Sequence, residues 1–290
     1  MIPNIEEVDL LGSAHRIADL VAARGELGEV DFIVSSHTFE HLPDPIGFLE
    51  ACSEVLRPGG VLSMAIPDKR CCFDYFRPTS TLGELLEAHF ERRERPSSRQ
   101  LYDGAALTSL YKGESLTHSL AADPRDIVAV QRVQEAYDGW KERLAVPRDA
   151  QEYQDCHCWT FTPNSFRLLL LDLLFLRIMC LNPVKVYETR ACEFYVHLTN
   201  ARGATLEALS RADYYDKRQR LLHAVNWETC LNALAPTAGR APAVKASIAG
   251  RAGMALTNAV RLCRLYYHSG GLVDVVKHAT GKVVRSIREK

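Results

Sequence analysis

His37, Glu40 and His41 fall within five residues, directly after the apolar run Val30–Ser36. Imidazole titrates near neutral pH, so a histidine placed beside a carboxylate can take a proton from a hydroxyl. His37 is the candidate general base of this group. A second group, Asp68, Lys69 and Arg70, follows the apolar run Val61–Pro67. Its carboxylate can hold a hydroxyl, and its two cations suit a phosphate or a sugar acid. Arg77 adds a further guanidinium. His157 stands between Cys156 and Cys158. That triplet invites zinc, but a zinc site needs about four ligands, commonly in spaced pairs. Cys71 and Cys72 are adjacent and no second spaced pair follows, so no metal is expected. Each group also has a plainer role. Glu40 and His41 can cap a turn, Asp68–Arg70 can be a solvated loop, and His157 can be a hydrogen-bonded structural histidine.

These residues sit at the ends of elements that the pattern defines. Val30–Ser36 is a continuous apolar run of strand length, suited to burial on both faces. Pro45–Leu56 reads as a helix, with Asp44 as its N-cap and Pro45 at the first helical position. Arg57-Pro58-Gly59-Gly60 ends it, and Val61–Pro67 is a second buried strand. Strand, helix and strand in that order predict a parallel pair with a right-handed crossover. Glu7–Leu11 is a short strand candidate, and Ala14–Ala23 has helical spacing. Thr162-Pro163 opens a helix over Asn164–Leu181. Val184–Glu188 and Glu193–Thr199 are close enough in sequence to require an antiparallel hairpin. Leu82–Trp140 is charged and shows no strand run, which predicts a helical insertion or cover.

The 290 residues carry 35 lysines and arginines against 36 acidic residues, so the net charge is −1. That balance argues against a nucleic-acid clamp over the whole chain. Nine scattered cysteines and the polar, acidic start Met1–Asp9 imply reduced thiols and a cytoplasmic compartment. Phe166–Leu181 is interrupted by Arg167, Asp172 and Arg177 and is too short to span a bilayer. Residues 235–259 are rich in alanine, glycine and proline and read as a linker or loose helix. Leu272, Val275, Val276, Ala279, Val283 and Ile287 share one helical stripe. From Arg251 onward eight basic residues face two acidic ones, 8 − 2 = +6. A stripe of this kind over 272–290 suits an anionic membrane surface, a partner protein or the chain's own core.

The stretches VDFIVSSHTFEHLPDP (Val30–Pro45), FLEACSEVLRPGG (Phe48–Gly60) and VLSMAIPDKR (Val61–Arg70) resemble the middle of a class I S-adenosylmethionine-dependent methyltransferase. In that family they are the fourth strand with the loop over the cofactor, the following helix, and the fifth strand. FDYFRPTST (Phe73–Thr81), YQDCHCWTFTPNSF (Tyr153–Phe166) and EFYVHLT (Glu193–Thr199) resemble a bacterial subgroup often linked with cell-surface polysaccharide genes. The resemblance covers residues 1–200 and implies a partial Rossmann-like α/β domain. That domain has parallel strands, a C-terminal antiparallel hairpin and a helical insertion at about 82–150. Residues 201–290 are then a helical, basic extension.

The resemblance also implies roles. Ser13, Ala14, Ser36 and His37 would line the S-adenosylmethionine pocket. His37, His41 and His157 are the candidate catalytic residues, and Glu40, Asp68, Arg70 and Arg77 would meet the acceptor. The expected reaction is methyl transfer to a small-molecule or saccharide acceptor, most simply at oxygen, with no nucleic acid involved. One part of the pattern is missing. The family's first strand ends in a glycine-rich loop followed by an acidic residue for the ribose, and neither is in this chain. The expected domain therefore starts partway through, implying upstream residues in the working enzyme or a catalytically inactive relative acting as an interaction protein. It also implies that Val30–Ser36 carries an unpaired apolar edge, which invites pairing with other chains.

Overall fold

The computed structural model describes residues 10–147, 150–202, 209–233, 260–266 and 272–278. β1 (Leu10–Leu11) leads through a short 3-10 turn into α1 (Ile17–Ala22), and β2 (Val30–Ser36) follows. Asp44 then caps α2 (Pro45–Val55), its side chain accepting from the Gly47 N–H at 2.9 Å. α2 buries Ile46, Phe48, Leu49, Cys52 and Val55 against the sheet. Each such side chain contributes about 1.5–3 kcal/mol on burial. β3 (Leu56–Pro67) lies parallel to β2, with Phe32 beside Val61 and Ser35 beside Met64. A Cβ at Gly60 would stand 3.0 Å from the Val30 carbonyl oxygen, so glycine is what lets the two strands approach there.

The insertion contains α3 (Leu82–Phe90), α4 (Ser98–Ala106) and α5 (Val133–Ala145). Between them β4 (Ser109–Tyr111) and β5 (Ile127–Ala129) form a small antiparallel pair, so the insertion is not purely helical. Three-residue strands are too short to leave a readable pattern. α6 (Pro163–Phe175) begins at a capping box of Thr162 and Ser165. It ends earlier than its apolar text suggests. Arg177 turns left-handed at φ 58°, and the greasy run continues as strand β6 (Leu181–Val186). β6 and β7 (Glu193–Asn200) form the expected antiparallel hairpin, and β7 pairs with β3. Phe194, Val196 and Leu198 of β7 are buried in one core with Ile33, Leu62, Met64, Phe161 and Phe166.

α7 (Arg211–Ala233) packs on α6, where Tyr214 and Arg218 both bond Asp172 and the Tyr214 ring stacks on Phe175. Beyond it the chain departs from the helical reading. β8 (Val260–Tyr266) and β9 (Leu272–His278) are strands, so residues 272–278 are not part of a helical stripe. The β-branched residues Val273, Val275 and Val276 favour an extended chain, and β2 offers an open edge for them. β9 runs antiparallel to β2, with Ile33 opposite Val275, and β8 runs parallel to β1. The seven-stranded order is β1-β8-β9-β2-β3-β7-β6. The edge of β2 that the sequence leaves without a partner is therefore paired by the chain's own C-terminal hairpin. The 235–259 linker reading and the 279–290 part of the stripe lie outside the described residues. No helix among the described residues is long and apolar enough to cross a membrane.

Candidate functional site

β2 ends at Ser36, and the next residue, His37, turns left-handed at φ 48° while its N–H donates to the Ala65 oxygen at 3.1 Å. A 3-10 turn over Phe39–His41 follows. Phe39 is buried against Phe161 and Phe166, which anchors the turn to the start of α6. The Glu40 carbonyl accepts from the N–H groups of Cys158 and Trp159 at 2.7 and 3.1 Å. The Trp159 indole donates to the Leu42 carbonyl at 2.6 Å. These bonds bring the Tyr153–Phe166 segment onto the turn after β2.

The result is a cluster around Glu40, whose side chain is 1% exposed. Neither of its carboxylate oxygens has a hydrogen-bond partner. Its Oε1 lies 3.6 Å from His37 Nδ1, 3.8 Å from His41 Nε2 and 4.0 Å from His157 Nε2. Each imidazole is held at its other nitrogen by its own carboxylate. His157 Nδ1 is 2.5 Å from Asp74, His41 Nδ1 is 2.9 Å from Asp155, and His37 Nε2 is 2.5 Å from Glu193. The rings of His41 and His157 meet edge to face at 4.7 Å. Arg77 donates to Asp74 at 2.7 Å and to the His157 carbonyl at 2.8 Å.

The electrostatics follow the contacts. Burial pulls the His41 pKa down, but the bond to Asp155 and the charges of Glu40, Asp155 and Asp74 outweigh it and raise it. Burial opposes ionisation of Asp74, yet His157 and Arg77 hold its carboxyl down at about 2. A carboxylate fixing one imidazole nitrogen leaves the other aimed at whatever faces it. Here both Nε2 atoms of His41 and His157 are aimed at Glu40.

His41 and His157 also line a cavity of about 1090 Å³. Its other walls include Phe73, Tyr102, Trp140 and Arg143, so the insertion covers the site. A volume of this order suits a small organic molecule. A second cavity, of about 1020 Å³, lies between α6, β6 and α7 and is lined by Leu170, Leu174, Phe175, Val184 and Leu221. None of the candidate residues lines it.

The remaining sequence candidates are placed elsewhere. Asp68 is fully buried and bonded to the Arg70 backbone and guanidinium and to Thr189. Arg70 stands 3.7 Å from Glu228 of α7. Neither lines the cavity beside His41. Arg77 is buried behind Asp74 rather than facing that cavity. Ser13 precedes the 3-10 turn after β1 without capping it through its side chain, and Ala14 is in the core. Asp74, Asp155 and Glu193 were not singled out from sequence. The first two lie inside the FDYFRPTST and YQDCHCW stretches, but which imidazole each carboxylate serves is decided only by folding.

A nucleotide cofactor needs backbone close to its ribose and phosphate-like end. The turns leaving β1, β2 and β3 at their carboxyl ends carry a single glycine, Gly12. A Cβ there would meet Leu20 Cδ1 at 2.7 Å, so this glycine admits the chain's own helix rather than a ligand. Beside β2, the strand is β9, running the opposite way. The described residues therefore do not supply the glycine cradle that the resemblance implies for S-adenosylmethionine.

Residues 3–171 match the family described as a methyltransferase domain. A ubiquinone biosynthesis O-methyltransferase of Cupriavidus pinatubonensis is 35% identical over 75 residues, covering 20% of this chain and 30% of that protein. The protein of the same name from Parvibaculum lavamentivorans is 35% identical over 72 residues, covering 25% and 22%. The Dinoroseobacter shibae protein is 35% identical over 48 residues, covering 17% and 18%. The chain covers less than a third of the length of each of these relatives. No solved structure matches it.

Proposed function

Because the chain belongs to the methyltransferase-domain family, we propose that it transfers a methyl group from S-adenosylmethionine to a hydroxyl oxygen of a small-molecule or saccharide acceptor. The acceptor sits in the cavity beside His41 and His157. The observation that carries this reading is the convergence of three carboxylate-oriented imidazoles where β2 ends, two of which, His41 and His157, stand on the wall of that cavity. The relatives named as O-methyltransferases support oxygen as the nucleophile.

S-adenosylmethionine supplies an electrophilic methyl group when bound. Ser13, Ala14, Ser36 and His37 are proposed as the residues along its pocket. The chain's own work is to hold the acceptor in line and to receive its proton. Alignment of that kind lowers a barrier by roughly 7–11 kcal/mol. His157, steadied at Nδ1 by Asp74, presents Nε2 as the proton acceptor, and proton transfer of this kind is worth roughly 10²–10⁴-fold. Arg77 keeps Asp74 ionised and so positions His157 at one remove.

A second reading is favoured by the missing glycine cradle: a catalytically inactive relative acting as an interaction protein. Calorimetric titration of the full chain with S-adenosylmethionine separates the two. Micromolar binding, followed by transfer of labelled methyl to hydroxyl acceptors, supports the enzyme. Absence of binding at millimolar cofactor sinks it.

A further inference from the structure

The carboxylate at the centre of the cluster is ringed by three imidazoles but hydrogen-bonded by none. Both Glu40 oxygens are buried and make no hydrogen bond, a costly state for an ionised group. The two nearest imidazoles of the cavity wall cannot relieve it directly. Their Nε2 atoms stand 3.8 and 4.0 Å from Oε1, beyond hydrogen-bond range. Their Nδ1 atoms face Asp155 and Asp74, which places an N–H there and leaves each Nε2 as the nitrogen available to a ligand. Two imidazole nitrogens and a carboxylate oxygen thus converge with no hydrogen bond among them.

We infer that Glu40, His41 and His157 form a binding site for a divalent transition-metal ion, with Asp155 and Asp74 orienting the two histidines. The three ligand atoms all lie within 4.8 Å of one another. Metal–ligand bonds of about 2.0–2.2 Å in tetrahedral geometry would separate them by about 3.3–3.6 Å, so closing the site takes a few tenths of an ångström at Glu40 and up to roughly 1.5 Å between the farthest ligand atoms. Two imidazoles and one carboxylate suit zinc, and equally iron(II), cobalt(II) and nickel(II), rather than magnesium or calcium. A carboxylate on the far nitrogen of each ligating histidine is the usual support of such sites. The spacing in sequence conceals it: Glu40 and His41 are adjacent, whereas His157 arrives from the segment before α6. The cysteines flanking His157 take no part, because Cys158 is directed at the His41 carbonyl.

His41 and His157 line the cavity, so an ion they hold is reached from it. Resting on the methyl-transfer reading, the acceptor would then be a molecule whose oxygen can ligate the ion, such as a vicinal diol or a hydroxy acid; His157 Nε2 would then be a ligand, and the ion would take over from it the activation of that hydroxyl.

The test is metal uptake by the full chain after stripping with a chelator, with neither cofactor nor acceptor present. Cobalt(II) is expected to bind at one equivalent and to give weak visible d–d bands without intense thiolate charge transfer. Glu40→Gln and His41→Gln are expected to weaken binding at least tenfold, and Asp155→Asn by about 10–100-fold. Wild-type chain that takes up no cobalt(II) or zinc(II), or thiolate charge-transfer bands, overturns the proposal even where a variant fails to fold. Undiminished uptake in folded Glu40→Gln overturns it as well. Because uptake is read without methyl transfer, an inert methyl assay leaves the metal site standing, and a failed metal titration leaves the methyl-transfer reading standing.

Discussion

Asp74 and His157 meet at 2.5 Å across 83 residues of chain, and Arg77 closes on the same carboxylate at 2.7 Å. The three residues are buried together. This contact joins the segment after β3 to the segment before α6, and it aims the His157 ring. A buried charge with two partners is expensive to disrupt, because each partner is left uncompensated.

Asp74→Ala should therefore lower stability by about 3–5 kcal/mol, read from urea unfolding midpoints. Asp74→Asn keeps the shape and should cost less while changing the His157 tautomer, visible in the imidazole nitrogen shifts. A loss under about 1 kcal/mol in the alanine variant would mean that the contact carries little of the fold.

Glu228 of α7 accepts from Thr162 Oγ1 at 2.6 Å and from the Asn164 N–H at 3.3 Å. Burial pushes its pKa up from the usual 4.5, although Thr162 and Arg70 pull the other way. For an acid with a raised folded pKa, stability is full below the unfolded pKa and is lost as pH rises through the folded one. Glu228→Gln should therefore gain on wild type as pH rises from 4.5 through that window. Paired unfolding curves from pH 4 to pH 8 check this, and a variant that loses stability relative to wild type over that range contradicts it.

β9 covers the β2 edge through pairs from Phe32–Val276 to Ser36–Leu272. A chain ending at residue 259, or the Val275→Pro variant, should expose that edge and self-associate. Light scattering measures it. A truncated chain that stays monodisperse at the wild-type mass would show that the hairpin is dispensable.

The thiols should separate sharply under Ellman's reagent. Cys180 and Cys230 are exposed and should react in the native state. Cys52, Cys72 and Cys158 are buried, and burial drives their pKa values well up. Burial pushes Cys71 up to about 12. These four should react only on unfolding, because the thiolate is the reactive form. Fast native labelling of any of them, located by mass spectrometry, would contradict the packing.

Val30 to Pro67 was legible because its instructions are local: an apolar run, a capped helix with proline at its start, and a glycine turn. The hairpin of β6 and β7 was legible for the same reason, since so short a connection allows little else. The Leu272–His278 segment was not. Leu272, Val275 and Val276 satisfy helical spacing as well as an apolar strand does, and seven residues are too few to separate the periods. Its partner, β2, lies more than 230 residues earlier, beyond any local signal. In the site, Glu40, His41 and His157 were recognisable as residue types in suggestive places. Asp74, Asp155 and Glu193 read as ordinary acids among 36.

Sequence alone determined the residue types that can do chemistry and the βαβ frame that carries them, because periodicity, capping and turn residues act over a few positions. Tertiary structure decided which carboxylate steadies which imidazole and that Glu40 is left without a hydrogen-bond partner. It also decided that the C-terminal hairpin takes the strand positions beside β2. Those outcomes depend on hydrogen bonds between groups 83 and 114 residues apart, and on desolvation, which exists only once the core has closed.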